Sequence, residues 1–267
     1  VADRLMEEGD AVLGGQTQEA TVMFSDIRSF TTISESIGPQ ETVSLLNEYF
    51  SVMVDIIFQY EGTLDKYIGD AIMAVFGAPF STGEDPDRAV KTAVDMLRAL
   101  DKFNKERSCG AKEPLKIGIG INTNEVLSGN IGSMKRMDYT VIGDGVNLAA
   151  RLESANKAYG TNILISEFTY KGLKDSYLSR EVDLIRVKGK VRPVGIYQIL
   201  DYHNECSFPH MADVLEWFDK GLNYYRGQEW AKAIDCFLRS LSLNEYDEVS
   251  RLFLTRCRYF AENPPPD

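Results

Sequence analysis

The chain has 267 residues and a net charge of −11, a balance that argues against a nucleic-acid or anionic-membrane surface, since both carry the same sign of charge. Apolar residues at 44% are enough for a sizeable core and exclude global disorder, and the length suits one or two domains. Four scattered cysteines without a CxxC pair and only two histidines, His203 and His210, exclude a disulfide framework and a structural zinc site. That pattern fits a reducing compartment, so the segment is expected in the cytoplasm.

Residues 1–19 read as an N-terminal linker, and from a start at Val1 rather than Met the chain is expected to be a piece of something longer. An apolar run over 21–24 predicts a strand ending on Ser25-Asp26. Pro39 opens a helix in which Val43, Leu46, Tyr49, Phe50, Met53, Ile56 and Ile57 recur at i, i+3, i+4 spacing. Two strand-like runs, 63–68 and 71–76, are joined only by Gly69-Asp70, a strong hairpin signal. Asp85-Pro86 opens a second amphipathic helix. Strands follow over 115–121, 126–131 and 139–142, then a helix over 146–159 and short strands over 163–165, 181–187 and 194–200. This order predicts an α+β fold: a ferredoxin-like βαββαβ core with helices over one face of a mainly antiparallel sheet, covering 20–201. After a linker at 202–211, residues 212–260 form a small C-terminal α-helical unit, and 261–267 are a tail.

Two carboxylates stand out by position. Asp26 ends the first strand and Asp70 sits at the hairpin tip, so neighbouring strands would bring both to one end of the sheet. Mg2+ is typically held by one or two carboxylates plus substrate phosphates, and the backbone carbonyl of Ile27 can supply another oxygen. Asp at such positions is commonly a turn or cap residue, and spacing alone favours that reading. A set of cations, Lys66, Arg151, Lys188 and Lys190, would give a polyphosphate local positive charge in an acidic protein, although each alone reads as a solvated surface residue. No GxxxxGK[ST] loop is present, Gly118-Ile-Gly120 lacks the third glycine of a dinucleotide fingerprint, and two linker histidines make a Ser-His-Asp triad untenable.

Four ordered blocks, TVMFSDIRSFT (21–31), LDKYIGDAIMAVFG (64–77), YTVIGDGVNLAAR (139–151) and VKGK (187–190), resemble the class III nucleotidyl cyclase catalytic domain over about residues 20–200. The resemblance reverses the weighting on Asp26 and Asp70, which match the metal-binding aspartates holding two Mg2+ or Mn2+ ions per site. It also implies that Arg151 stabilises charge on the α-phosphate, Asn147 positions the ribose and Lys188 binds the triphosphate. Lys66 and Thr140 match the purine-recognition positions. A Lys donor suits adenine N1 and a hydroxyl can accept from the 6-amino group, so ATP is the expected substrate, with cyclic AMP and pyrophosphate as products. Thr140 replaces the Asp of many relatives, a departure resembling the soluble, bicarbonate-responsive subset and implying bicarbonate as a possible activator. Family members are head-to-tail dimers, so a homodimer is expected, with Asp26 and Asp70 from one protomer and Lys66, Thr140, Asn147, Arg151 and Lys188 from the other. No nucleic-acid or membrane partner is expected of this segment.

Residues 214–245 resemble one tetratricopeptide-type helix pair, with Gly221 and Tyr224 in the first helix and Ala231, Ala233, Ile234 and Phe237 in the second. Fewer than three repeats are present, so the unit is expected to dock on the preceding domain. Two alternatives to an ATP-cyclising enzyme are a catalytically silent cyclase-like module that binds nucleotide and a diguanylate cyclase. The silent module typically lacks an aspartate, Asn or Arg that is present here, and no GGDEF-like run exists for the other.

Overall fold

A computed structural model describes residues 14–107, 113–133, 135–186 and 192–265. The first half of the domain is β1 (Gly14–Ile27), α1 (Phe30–Ile37), α2 (Pro39–Gln59), the hairpin β2 (Thr63–Ile68) and β3 (Ala71–Phe76), α3 (Asp85–Arg107) and β4 (Ile117–Ser133). These strands lie in the order β2-β3-β1-β4, all antiparallel, which is the expected βαββαβ core. The chain then adds β5 (Arg136–Ile142), α4 (Asp144–Tyr159), β6 (Ile163–Ser166), α5 (Glu167–Gly172), β7 (Ser179–Ile185) and β8 (Val194–Ile199). β5 pairs with the outer half of β4, while β6 joins its inner half in parallel and continues to β8 and β7.

Helices cover both faces of the sheet, not one. Strand side chains alternate, so Met23, Ile72, Ala74 and Phe76 meet Tyr49, Met53 and Ile57 of α2 and Ala93, Met96 and Leu97 of α3. Val22, Met73 and Val75 point the other way, toward Ala149 of α4. Both faces of the central strands are apolar, so both must be buried. β1 also begins at Gly14, inside the stretch read as linker.

α4 lies directly on β4. Asn156 donates to the carbonyl of Ile119 at 2.9 Å, and Asn122 donates to that of Gly145 at 2.8 Å, fixing the helix at both ends. Gly120 permits this approach: an added Cβ would stand 2.1 Å from the Glu153 nitrogen and 2.3 Å from the Ala149 carbonyl oxygen. The C-terminal unit is three helices, α6 (Met211–Arg226), α7 (Trp230–Leu243) and α8 (Glu248–Glu262). It packs Phe218, Phe237 and Phe253 with Leu148, Leu152, Leu164, Val182 and Ile196 in one core. Ion pairs from β7 reach each end of the unit: Arg180 to Asp247, Glu181 to Arg226 and Asp183 to Arg256, each at 2.6 Å. Among the described residues, no helix is long and apolar enough to cross a membrane.

Candidate active site

Sheet register places the two aspartates. Ser25 faces Ile72 across the β1–β3 ladder, so Asp26 lies opposite the start of β3, where Gly69-Asp70 turns the hairpin. Gly69 takes φ +65°, a conformation that costs a glycine little. Burial, then the Asp70 carboxyl within hydrogen-bonding reach and the charge of Glu153, push the Asp26 carboxyl up to about 7, opposed only by a bond from the Ile27 amide. Two carboxyls so placed resist ionising together, and a cation between them relieves the repulsion.

That repulsion is the evidence that a divalent cation fits. Among the described residues no group of three Cys, His, Asp or Glu side chains is placed to hold a metal ion. Asp26 and Asp70 would therefore share an ion with backbone carbonyl, water and phosphate oxygens, which is the habit of Mg2+. Behind them, Glu153 of α4 pairs with Arg28 at 3.5 Å. Burial raises the Glu153 carboxyl and lowers the Arg28 guanidinium, each countered by the other's charge. Sequence reasoning missed Glu153; its signal was a charge on the buried side of α4, one residue after Leu152.

The purine-recognition candidates also meet. Thr140 of β5 is buried, Lys66 of β2 is half-exposed, and Asp65 joins them. Thr140 Oγ1 donates to Asp65 Oδ2 at 3.0 Å, and Lys66 Nζ lies 3.3 Å from the same oxygen. Asp65 too was missed, being one more charge beside Lys66 in a short strand.

Asn147 and Arg151 share one exposed stripe of α4, four residues apart. Their stripe is turned away from the aspartates. Arg151 and Glu153 lie about 200° apart around the helix, and it is Glu153 that faces Asp26 and Asp70. The fold thus brings together Asp26 with Asp70, and Lys66 with Thr140, but turns Asn147 and Arg151 outward from their own chain's carboxylates. Lys188 and Lys190 lie outside the described residues, in the connection between β7 and β8.

The family model described as the adenylate and guanylate cyclase catalytic domain matches residues 13–201. The chain belongs to this cyclase family. A solved adenylyl cyclase, CyaB from P. aeruginosa, is 42% identical, with a TM-score of 0.65 over 72% of this chain and 98% of that one. The solved guanylyl cyclase Cya2 is 41% identical, with a TM-score of 0.63 over 70% of this chain and 94% of its own. Overall similarity therefore leaves the purine open, and the choice falls to the residues of the cyclase domain's own pocket. The terminal-differentiation-specific adenylate cyclase of Dictyostelium discoideum is 34% identical over 253 residues, which is 93% of this chain and 12% of that protein. That match runs past the cyclase domain into the C-terminal helices. The chain spans only 12–39% of the length of the first curated relatives it matches.

Proposed function

We propose that this chain is an adenylate cyclase, converting ATP to 3′,5′-cyclic AMP and pyrophosphate. The observation that carries the reading is the convergence of Asp26 and Asp70 at one end of the sheet in a chain that also holds the other residues of the set. Asp26, Asp70 and the Ile27 carbonyl would hold two Mg2+ or Mn2+ ions. Bound there, such ions make the ribose 3′-hydroxyl more acidic and neutralise the triphosphate. The 3′-oxygen attacks the α-phosphorus, the bond to the β-phosphate breaks, the hydroxyl proton is released and pyrophosphate leaves. Asn147 orients the ribose, Arg151 stabilises the charge that develops on the α-phosphate, and Lys188 binds the outgoing phosphates.

Because Asn147 and Arg151 face away from the aspartates of their own chain, a second copy supplies them. The active form is a head-to-tail homodimer with two equivalent sites. Lys66 donates to adenine N1 and Thr140 accepts from the 6-amino group. The C-terminal helices extend the packing of the cyclase domain, and their likeness to a tetratricopeptide pair adds no partner to this reading. Thr140 in place of Asp supports activation by bicarbonate, which is checked by titrating bicarbonate at constant pH; an unchanged rate rules it out.

The deciding experiment is product formation from ATP and from GTP with Mn2+. Cyclic AMP in excess of cyclic GMP is expected. Neither product would mark a silent nucleotide-binding module, and an excess of cyclic GMP would reverse the purine assignment.

A further inference from the structure

We infer that Asp65 is the residue that sets the hydrogen-bonding polarity of the purine pocket, acting through Lys66 and Thr140 without touching the nucleotide. The inference rests on the adenine reading above and goes beyond it, because Lys66 and Thr140 alone do not dictate which way a hydroxyl points.

The backbone explains how Asp65 comes to serve both neighbours. In a regular strand, residues 65 and 66 would face opposite sides of the sheet. The ladder between β2 and β3 slips at this point: Leu64 faces Ala74 and Lys66 faces Met73, leaving Asp65 as the extra residue of a bulge. Bulges re-aim side chains, and here the bulge lets the Asp65 carboxylate lie within 3.3 Å of the adjacent ammonium. The carboxylate is 3% exposed, so it depends on these partners and not on water.

A carboxylate paired with an ammonium only accepts hydrogen bonds. Thr140 has one hydroxyl proton and spends it on Asp65. What remains on Thr140 is lone-pair density, so its free side can only accept. Lys66, with three protons, can only donate. The pocket therefore presents one fixed donor beside one fixed acceptor. Adenine offers the complement, an acceptor at N1 and a donor at the 6-amino group. Guanine offers the reverse, N1–H and O6, and would set donor against donor and acceptor against acceptor. Without Asp65 the Thr140 hydroxyl could rotate and donate to O6, removing one of the two mismatches. Asp65 is a positioning residue that determines specificity.

The test compares kcat/KM for ATP and for GTP in the wild type, Asp65→Ala and Thr140→Ala, with circular dichroism to confirm folding. A wild type that does not prefer ATP refutes the adenine reading itself, before Asp65 is in question. Given a wild type that prefers ATP, Asp65→Ala is expected to lower the ATP:GTP ratio about tenfold, the scale of one mismatched polar contact. A merely structural role would lower both rates together and leave the ratio unchanged, and that result overturns the inference. If Asp65→Ala does not fold, Thr140→Ala decides, since it leaves the Asp65–Lys66 pair in place. Its ratio should fall to a similar degree, and an unchanged ratio there overturns the inference as well.

Discussion

Asp26 and Asp70 come within hydrogen-bonding reach of each other because β1 and β3 are neighbours and the hairpin turn falls at the end where β1 stops. The arrangement suits a cation and strains the protein without one. Asp26→Asn is therefore expected to raise the metal-free stability by about 1–2 kcal/mol, the half-buried position keeping the gain small. The same variant loses cyclase activity. Thermal unfolding with and without Mn2+ separates the two effects: Mn2+ should raise the midpoint of the wild type and leave that of the variant unchanged.

At Gly120 the backbone of α4 lies directly against β4. Gly120→Ala drives a methyl into the backbone of residues 149 and 153 and must push the helix away. A loss of about 1–3 kcal/mol is expected from overpacking. Activity should fall more than stability does, since α4 carries Asn147 and Arg151. Chemical denaturation beside a rate measurement checks both.

Hydropathy could not see part of this architecture. The hairpin was legible because Gly69-Asp70 interrupts two clean apolar runs, and α2 because its core residues recur at helical spacing. β4 was read as two strands, since Asn122, Thr123 and Asn124 break its apolar pattern. In the structure it is one strand, and two of these polar residues are buried and make hydrogen bonds across the fold. Asn122 donates to the Gly145 carbonyl, and Thr123 shares hydrogen bonds with the hydroxyls of Thr21 and Thr169. The candidate site residues stood out only through four motifs taken together. Asp65 and Glu153 escaped because a bulge and a helix-to-sheet contact, both tertiary features, give them their places.

The attachment of the C-terminal helices centres on a buried ion pair. Arg180 donates to both oxygens of Asp247, at 2.8 and 2.6 Å, and to Gln198 at 2.8 Å. Burial would raise the Asp247 carboxyl, but the Arg180 guanidinium and Ser250 hold it below its ordinary value. Arg180→Ala strands that carboxylate and should cost about 3–5 kcal/mol in denaturant unfolding. The paired change Arg180→Met with Asp247→Leu should recover most of the loss, because no charge is then left alone in the interior.

His203 lies beside this pair, against Tyr202 and Phe208. Burial, with the charge of Arg180 adding and that of Asp247 opposing, lowers its pKa from 6.5 to about 4. Between those values the unfolded chain binds a proton that the folded chain does not. This contribution is complete above 6.5 and is lost as the pH falls toward 4. Unfolding free energy should drop by on the order of 1–2 kcal/mol between neutral pH and pH ~5, and His203→Phe should flatten that drop.

The central claim is a site divided between two copies, with Asp26 and Asp70 from one and Asn147 and Arg151 from the other. Mixing Asp26→Ala protein with Arg151→Ala protein tests it most directly. Each alone should be inactive. After subunit exchange, about half the dimers pair one of each and carry one intact site of two, so activity should return to about a quarter of wild type. No recovery, with exchange verified by differently tagged subunits, would contradict the divided site.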